Sequence, residues 1–570
     1  MKTNKHIIYQ TLPRLFGNFN DSPVKNGTIE ENGCGKFNSY TSKALNAISE
    51  LGVTHIWYTG IIAHSTCTDY TTYGIPKDHH AIVKGKAGSP YAIKDYYDVD
   101  PDLADDIPNR MQEFEELVRR THDAGMKVII DFVPNHVSRS YFSTMKPLYV
   151  DNLGQRDNKD IAFSSLNNFY YLPGQHLELH FGAQEEDFEY SEFPAKVTGN
   201  DCFNANPSRN DWYETIKLNY GINYLNGGAK HFTPVPDTWN KMLDILLFWL
   251  EKDIDGFRCD MAEMVPVEFW SWVIPRVKSR KNVIFIAEIY NQSLYQEYIC
   301  KGHFDYLYDK VGMYDTLRNI ISGKASSTDI TPRWQAIENI KEHILFFLEN
   351  HDEQRIASDF FAGNARTGLP GISYMATHGT NPVMIYNGQE LGEKGMDEEG
   401  FSGKDGRTSI FDYWSMDSVR KWANKGKFDG KLLSKEQLEL REYYKKVLNI
   451  AKKEKALSYG SFYGLAYCNK DNPYFPSEHI KAYLRKFDDE LIIIIINFDR
   501  QEHKLRVNIP KNAFDVLRIP DNKVSVIKEL LTEEESICAL TYACPFEETI
   551  PALSTKILKF RPINILEKTC

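Results

Sequence analysis

The chain has 570 residues, 42% hydrophobic and 25% charged, an ordinary globular composition with material for more than one domain. A formal net charge of -11 gives no long-range attraction for nucleic acid or an anionic membrane surface, so neither is an expected partner. The nine cysteines are scattered without a CxxC pair, which suits reduced thiols and argues against a disulfide framework or a zinc site.

The N-terminus, MKTNKHIIYQTLPRLF, carries lysines but no apolar stretch of signal-peptide length, so a cytoplasmic location is expected. It runs directly into a first strand at Ile7 to Gln10, followed by THIWYT at 54–59. Residues 107–125 place Met111, Phe114, Leu117 and Val118 at helical spacing, with Gly125 as a stop. A third strand, KVIIDFV at 127–133, leads into about a hundred residues rich in Asn, Asp, Gly, Tyr and Phe. A structureless connection of that size is improbable, which predicts a small subdomain growing from strand three.

Alternation resumes with a helix at 238–252 and the strand GFRCD at 256–260. VIFIAEI at 283–289, FDYLYDK at 304–310, HILFFLEN at 343–350 and NPVMIYN at 381–387 complete eight candidate strands. A long helix spans 434–457. Beyond it KAYLRKF, LIIIIINF, HKLRVNI and TKILKFR read as an all-β module, a sandwich. The apolar run Leu491 to Ile496 is far too short to span a bilayer and reads as a buried strand. Eight strands with intervening helices fit a (β/α)₈ TIM barrel, although a doubly wound sheet alternates too. The expected division is barrel over 1–136, inserted subdomain over 137–235, barrel again over 236–457, and C-terminal sandwich over 458–570.

Reactive residues of such a barrel sit at the C-terminal ends of its strands. Those ends carry Asp131, Asn135 and His136 after strand three, then Arg258 and Asp260 on strand four. Glu288 ends strand five, and Asn350, His351 and Asp352 follow strand seven. Like charges in one cleft repel, so one carboxyl keeps its proton while another stays ionised. Retaining glycoside hydrolysis needs that division. Arg258, two residues from Asp260 and on the same strand face, is expected to lower that carboxyl's pKa and make it the nucleophile. Glu288, with no adjacent cation in sequence, is the better proton donor, and Asp352 is left to hold sugar hydroxyls.

Taken in order, GVTHIWYTG (52–60), DFVPNH (131–136), KLN (217–219), GFRCD (256–260), FIAEI (285–289), FLENHD (347–352) and NPVMIYNGQELG (381–392) resemble the motifs of glycoside hydrolase family 13, the α-amylase family. The resemblance implies Asp260 as nucleophile, Glu288 as general acid/base and Asp352 as transition-state stabiliser. It also implies that His136, Arg258 and His351 line the subsite of the sugar whose bond breaks, with Tyr91 stacking on that ring. The substrate it implies is an oligosaccharide or polysaccharide with α-glucosidic bonds; oligomeric state is not legible.

Two departures matter. Where familiar members continue the nucleophile motif with lysine and histidine, this chain has Glu263 and Met264, which puts ordinary endo-acting starch hydrolysis in doubt. Asn135 matches a family calcium ligand, yet no full oxygen cage can be read in the insert, and a DxDxDG loop is missing between Ile61 and Pro90. The chemistry requires no cofactor; a structural calcium is the only metal the resemblance suggests. The competing readings are a transglycosylase or trehalose-forming isomerase using the same acids, a non-catalytic relative, and a metal-dependent barrel hydrolase. The non-catalytic reading expects a missing carboxylate, and all three are present.

Overall fold

The computed structural model describes residues 5–180, 190–395, 401 and 403–562. Eight parallel strands form one sheet: β1 (Ile7–Thr11), β2 (His55–Tyr58), β3 (Lys127–Phe132), β4 (Gly256–Cys259), β5 (Ile284–Ala287), β6 (Tyr306–Tyr308), β7 (Ile344–Leu345) and β8 (Val383–Tyr386). Each pairs with its sequence neighbour, and β8 pairs with β1. A parallel bridge between Phe346 and Val383 brings the end of β7 against β8 and closes the ring. All eight strands expected from the sequence are present. Helices such as Arg110–Asp123, Asp237–Leu250, Val267–Lys278 and Leu369–His378 follow the strands as crossovers.

The barrel interior is packed rather than hollow. Ile8, Trp57, Ile129, Ile286, Tyr308, Leu345 and Met384, one from each strand except β4, form a buried cluster. On β4 the matching position is Gly256, where an added Cβ would lie 2.5 Å from Ile284 Cγ1 and 3.3 Å from Ile129 Cγ1. Strand side chains repeat every two residues. The residues two positions beyond this apolar layer are therefore Asp131 on β3, Arg258 on β4 and Glu288 after β5, with Asp260 one step higher again. Hydrophobic packing below sets the height of the charged layer above it.

The stretch after β3 forms short antiparallel ladders, including His136–Ser138 with Thr215–Lys217 and Tyr171–Leu172 with Ala195–Lys196. It returns to the barrel at the helix Asp237–Leu250.

The C-terminal module has eight strands, twice the number read from the sequence. They are β9 (Ser461–Gly464), β10 (Ile480–Phe487), β11 (Glu490–Asn497), β12 (His503–Val507), β13 (Lys523–Glu529), β14 (Glu535–Leu540), β15 (Phe546–Ile550) and β16 (Ser554–Pro562). Six form one antiparallel sheet in the order β9-β10-β11-β16-β13-β14, and β12 pairs with β15 on the other side of a shared core. The isoleucine run of β11 alternates between two cores. Ile492, Ile494 and Ile496 join the large core of the barrel and its helices, while Ile493 and Ile495 face the module's own core. Burial on both faces explains an unbroken apolar run where a half-exposed strand would alternate.

The module is also tied to the barrel by a buried cation. Arg485, on β10, donates to the carbonyls of His378, Ala456, Leu457 and Gly460. The first is at the C-terminal end of Leu369–His378, a helix buried on every side. A positive charge there also meets the negative end of the helix dipole. Among the described residues no helix is long and apolar enough to cross a membrane. Arg485→Ala strands these buried acceptors, and the expected loss is at least about 2 kcal/mol of unfolding free energy. Urea unfolding measures it, and a loss below about 0.5 kcal/mol, the scale of an ordinary surface change, would contradict the brace.

Candidate active site

Arg258 is fully buried at the centre of the strand ends. In register it lies beside Asp131 on β3 and Ile286 on β5. Its Nη1 donates to Asp260 Oδ1 at 2.7 Å and lies 3.4 Å from Asp131 Oδ1. Its Nη2 forms an ion pair with Glu288 Oε2 at 2.8 Å, off the line of a hydrogen bond. Nε donates to the Tyr308 hydroxyl at 3.2 Å. The guanidinium faces the rings of Trp57, Tyr91 and Tyr308 at 5.2, 5.3 and 5.7 Å from their centroids. Cation–π contact with a desolvated guanidinium offsets part of the cost of burying it.

Asp260 and Glu288 are thus held by one cation. Glu288 accepts on both oxygens: Oε2 from the Met261 amide at 2.8 Å, Oε1 from the Tyr290 hydroxyl at 2.9 Å. Asp352 is more open, with 38% of its side chain exposed against 8% for Asp260 and 3% for Glu288. His351 Nε2 lies 3.0 Å from Asp352 Oδ2 and 2.6 Å from the Tyr91 hydroxyl, and Gln10 Nε2 lies 2.7 Å from the ring's other nitrogen. Tyr91 stacks on His351 with centroids 5.2 Å apart and reaches Asp131 Oδ1 at 3.5 Å. Asp131 is fixed in turn by the Trp57 indole and the Gly60 amide. A continuous polar chain therefore runs from Asp352 through His351, Tyr91, Asp131 and Arg258 to Asp260 and Glu288.

His136 joins this chain at its edge. It hydrogen-bonds the Tyr91 backbone, lies 5.1 Å from the Trp212 ring, and is 3.2 Å from Asn135 Nδ2. Burial first, then the Lys217 and Lys84 charges, pushes its pKa down to about 3, so it is neutral. At Asp352 burial opposes the charged form, but His351 and then Arg258 outweigh it and hold the carboxyl at about 2.

The structure corrects two expectations about charge. Arg258 does not bring Asp260 below the ordinary range. Burial pushes this carboxyl well above 3.8, Arg258 opposes that, and the nearby Glu288 charge adds to the rise. Nor does Glu288 lack a cation, because Arg258 reaches across from β4 to it. One positive charge faces two carboxylates, with Asp131 a third nearby. Sequence reasoning also passed over Trp57, Tyr290 and Tyr308. The strand alternation that linked Arg258 to Asp260 also links Glu288 to Tyr290 and was the available signal.

The surroundings of Asn135 do not fit a calcium. Its Oδ1 accepts from Lys217 Nζ at 2.9 Å, and its Nδ2 donates to the Gly199 carbonyl at 2.8 Å. Lys217, only 2% exposed, also pairs with Asp201 at 2.5 Å. An ammonium already occupies the cation's place between these oxygens, and a divalent ion beside it would meet like-charge repulsion.

The family model described as "Alpha amylase, catalytic domain" matches residues 10–465. The chain belongs to the alpha-amylase family. Alpha-amylase 3 of Dictyoglomus thermophilum is 25% identical over 464 residues, covering 77% of this chain and 80% of that protein. Neopullulanase 2 of Thermoactinomyces vulgaris is 22% identical over 522 residues, covering 89% of this chain and 72% of that protein. A solved maltogenic alpha-amylase from Thermotoga neapolitana superposes with a TM-score of 0.63 at 19% identity, covering 98% of this chain and 99% of the other, which shows the shared fold.

The raised Asp260 carboxyl has a consequence for pH. An acid raised by burial keeps its proton to higher pH, so its ionised fraction falls as pH drops through that raised value. The acid limb of kcat/KM is therefore expected above pH 4, and a pH–rate profile with full activity down to pH 4 would contradict it.

Proposed function

We propose that the protein is a retaining hydrolase of α-glucosidic bonds in α-glucans or maltooligosaccharides, acting through a covalent glycosyl-Asp260 intermediate. The observation that carries this reading is the single Arg258 guanidinium that contacts both Asp260 and Glu288. Retaining glycosidases keep their two carboxyl groups about 5–5.5 Å apart, and a guanidinium paired with both Asp260 and Glu288 brings these two acids together.

The pair needs only one proton between them. In the reactive form Asp260 is ionised and the proton rests on Glu288. Oδ1 of Asp260 is bonded to Arg258, which leaves Oδ2 to attack the anomeric carbon. As that C–O bond forms, the glycosidic C–O bond breaks and the Glu288 proton passes to the leaving oxygen. In the second half Glu288 takes a proton from water, the water oxygen bonds the anomeric carbon, and the ester bond to Asp260 breaks. Two inversions give net retention. Asp352, ionised beside His351 and open to the cleft, accepts hydrogen bonds from sugar hydroxyls as the ring flattens. Tyr91 packs along the sugar's apolar face, and His136 supports Tyr91.

A second reading, transfer to another sugar or isomerisation, is favoured by one feature. Glu263, whose Oε2 accepts from the Asn291 amide at 3.0 Å, lies in the turn after Asp260 and next to the loop after Glu288. Its carboxylate offers acceptors for the hydroxyls of an incoming sugar in place of water. The eight described cysteines are all free thiols, which supports a reducing, cytoplasmic location. In place of a calcium, Lys217 supplies the cation that joins Asn135 to the inserted subdomain.

Three outcomes follow. Glu288→Gln is expected to lower kcat on maltooligosaccharides by at least about 10²–10⁴-fold, with wild-type turnover contradicting its role. Time-resolved NMR of the first-formed sugar should give the α-anomer; the β-anomer would overturn the retaining mechanism. EDTA is expected to leave both activity and melting temperature unchanged, whereas a large loss of either would restore a metal and revive the metal-dependent reading.

A further inference from the structure

The mechanism leaves unassigned the phenol that bonds the acid/base directly. Tyr290 Oη donates to Glu288 Oε1 at 2.9 Å. Glu288 Oε2 is already occupied. It accepts from the Met261 amide, and Arg258 Nη2 lies 2.8 Å away, so a proton placed there would meet the guanidinium charge. A transferable proton on Glu288 must therefore sit on Oε1, the oxygen that Tyr290 touches. Oε1 has two lone-pair directions, one for the Tyr290 hydroxyl and one for the proton bound for the leaving oxygen.

The local backbone is built around this division. Met261, at φ 42° and ψ 44°, adopts the left-handed conformation that a non-glycine residue rarely takes. That turn aims its N–H at Oε2, and the next amide, Ala262, donates to the Glu288 carbonyl at 3.1 Å. Strain of this kind persists where surrounding contacts require it. Tyr290 follows Glu288 by two residues, and its hydroxyl contact places the two side chains on the same side.

We infer that Tyr290 is a positioning residue for the proton of Glu288: its hydroxyl fixes Oε1 toward the leaving oxygen and bonds more strongly as that oxygen gives up its proton. The inference rests on Glu288 being the acid/base. A neutral donor on a neutral acid becomes a charge-assisted donor on a carboxylate as the reaction proceeds. The contact is therefore stronger in the transition state than in the ground state, which is the condition for acceleration. The other groups facing Glu288 are Arg258 on β4, Asp260 just after it and Tyr308 on β6. Burial and the charges of Glu288 and Asp352 push the Tyr290 phenol far above its usual value, so it stays a donor throughout the working range.

The test is Tyr290→Phe, which keeps the ring and removes only the hydroxyl, assayed on two substrates. A maltooligosaccharide needs its leaving oxygen protonated; α-maltosyl fluoride has a good leaving group and needs little such help. The expected result is a loss of about tenfold or more in kcat/KM on the oligosaccharide. The fluoride should stay within about threefold. Activity on the fluoride also reports that the variant is folded. Equal losses on both substrates, or none, would overturn the inference. A wild-type enzyme inactive on both would instead overturn the glycosidase reading beneath it, so the two failures are distinguishable.

Discussion

Everything at this site depends on the Arg258 guanidinium, buried within the barrel and shared by carboxylates on three strands. Removing a guanidinium from water is costly, and three aromatic faces together with three carboxylates are what make its position tenable. One positive charge cannot neutralise three negative ones. Burial first, and then the neighbouring Glu288 charge, lift Asp260 above the range of an ordinary aspartate even with an arginine bonded to it. The imbalance suits a reaction that begins with one proton on a carboxyl pair and moves it.

The rest of the molecule sets where that cation stands. Gly256 lets β4 lie close against β3 and β5, and two residues later the strand delivers Arg258 between Asp131 and Ile286. Trp57 and Tyr308 rise from the apolar layer to form walls on both sides. The same layer fixes Glu288 two residues above Ile286. Farther away, β11 buries one row of isoleucines against the barrel core and the next row within the C-terminal module. Arg485 closes that joint through backbone carbonyls. The lysine at 217 holds the inserted subdomain at the rim, beside His136. The common device is a buried cation whose partners come from separate segments, and each cation locks those segments into one arrangement.

Much of this was legible in the sequence because buried parallel strands read as short apolar runs ending in polar residues. The motifs around Asp131, Asp260, Glu288 and Asp352 named the residues that the structure brings together at adjoining strand ends. Half of the C-terminal strands were not legible. In β14, Glu535–Leu540, the first three residues are exposed, so no apolar run marks it. The charge assignment failed for a different reason. Sequence adjacency ties Arg258 to Asp260, but the reach from β4 to Glu288 on the next strand depends on register, which no local pattern supplies. Lys217 shows the same limit: its meeting with Asn135 spans 82 residues and depends on how the insert folds back.

The central claim is that Asp260 forms a covalent bond to the sugar while Glu288 manages the proton. Incubation with a 5-fluoro-α-glycosyl fluoride, followed by proteolysis and mass spectrometry, tests it most directly, because the fluorine slows breakdown of a glycosyl ester more than its formation is slowed. The account predicts one sugar adduct, carried by Asp260 in the peptide containing Gly256-Phe257-Arg258-Cys259-Asp260. A label on Glu288 or Asp352 instead would contradict it.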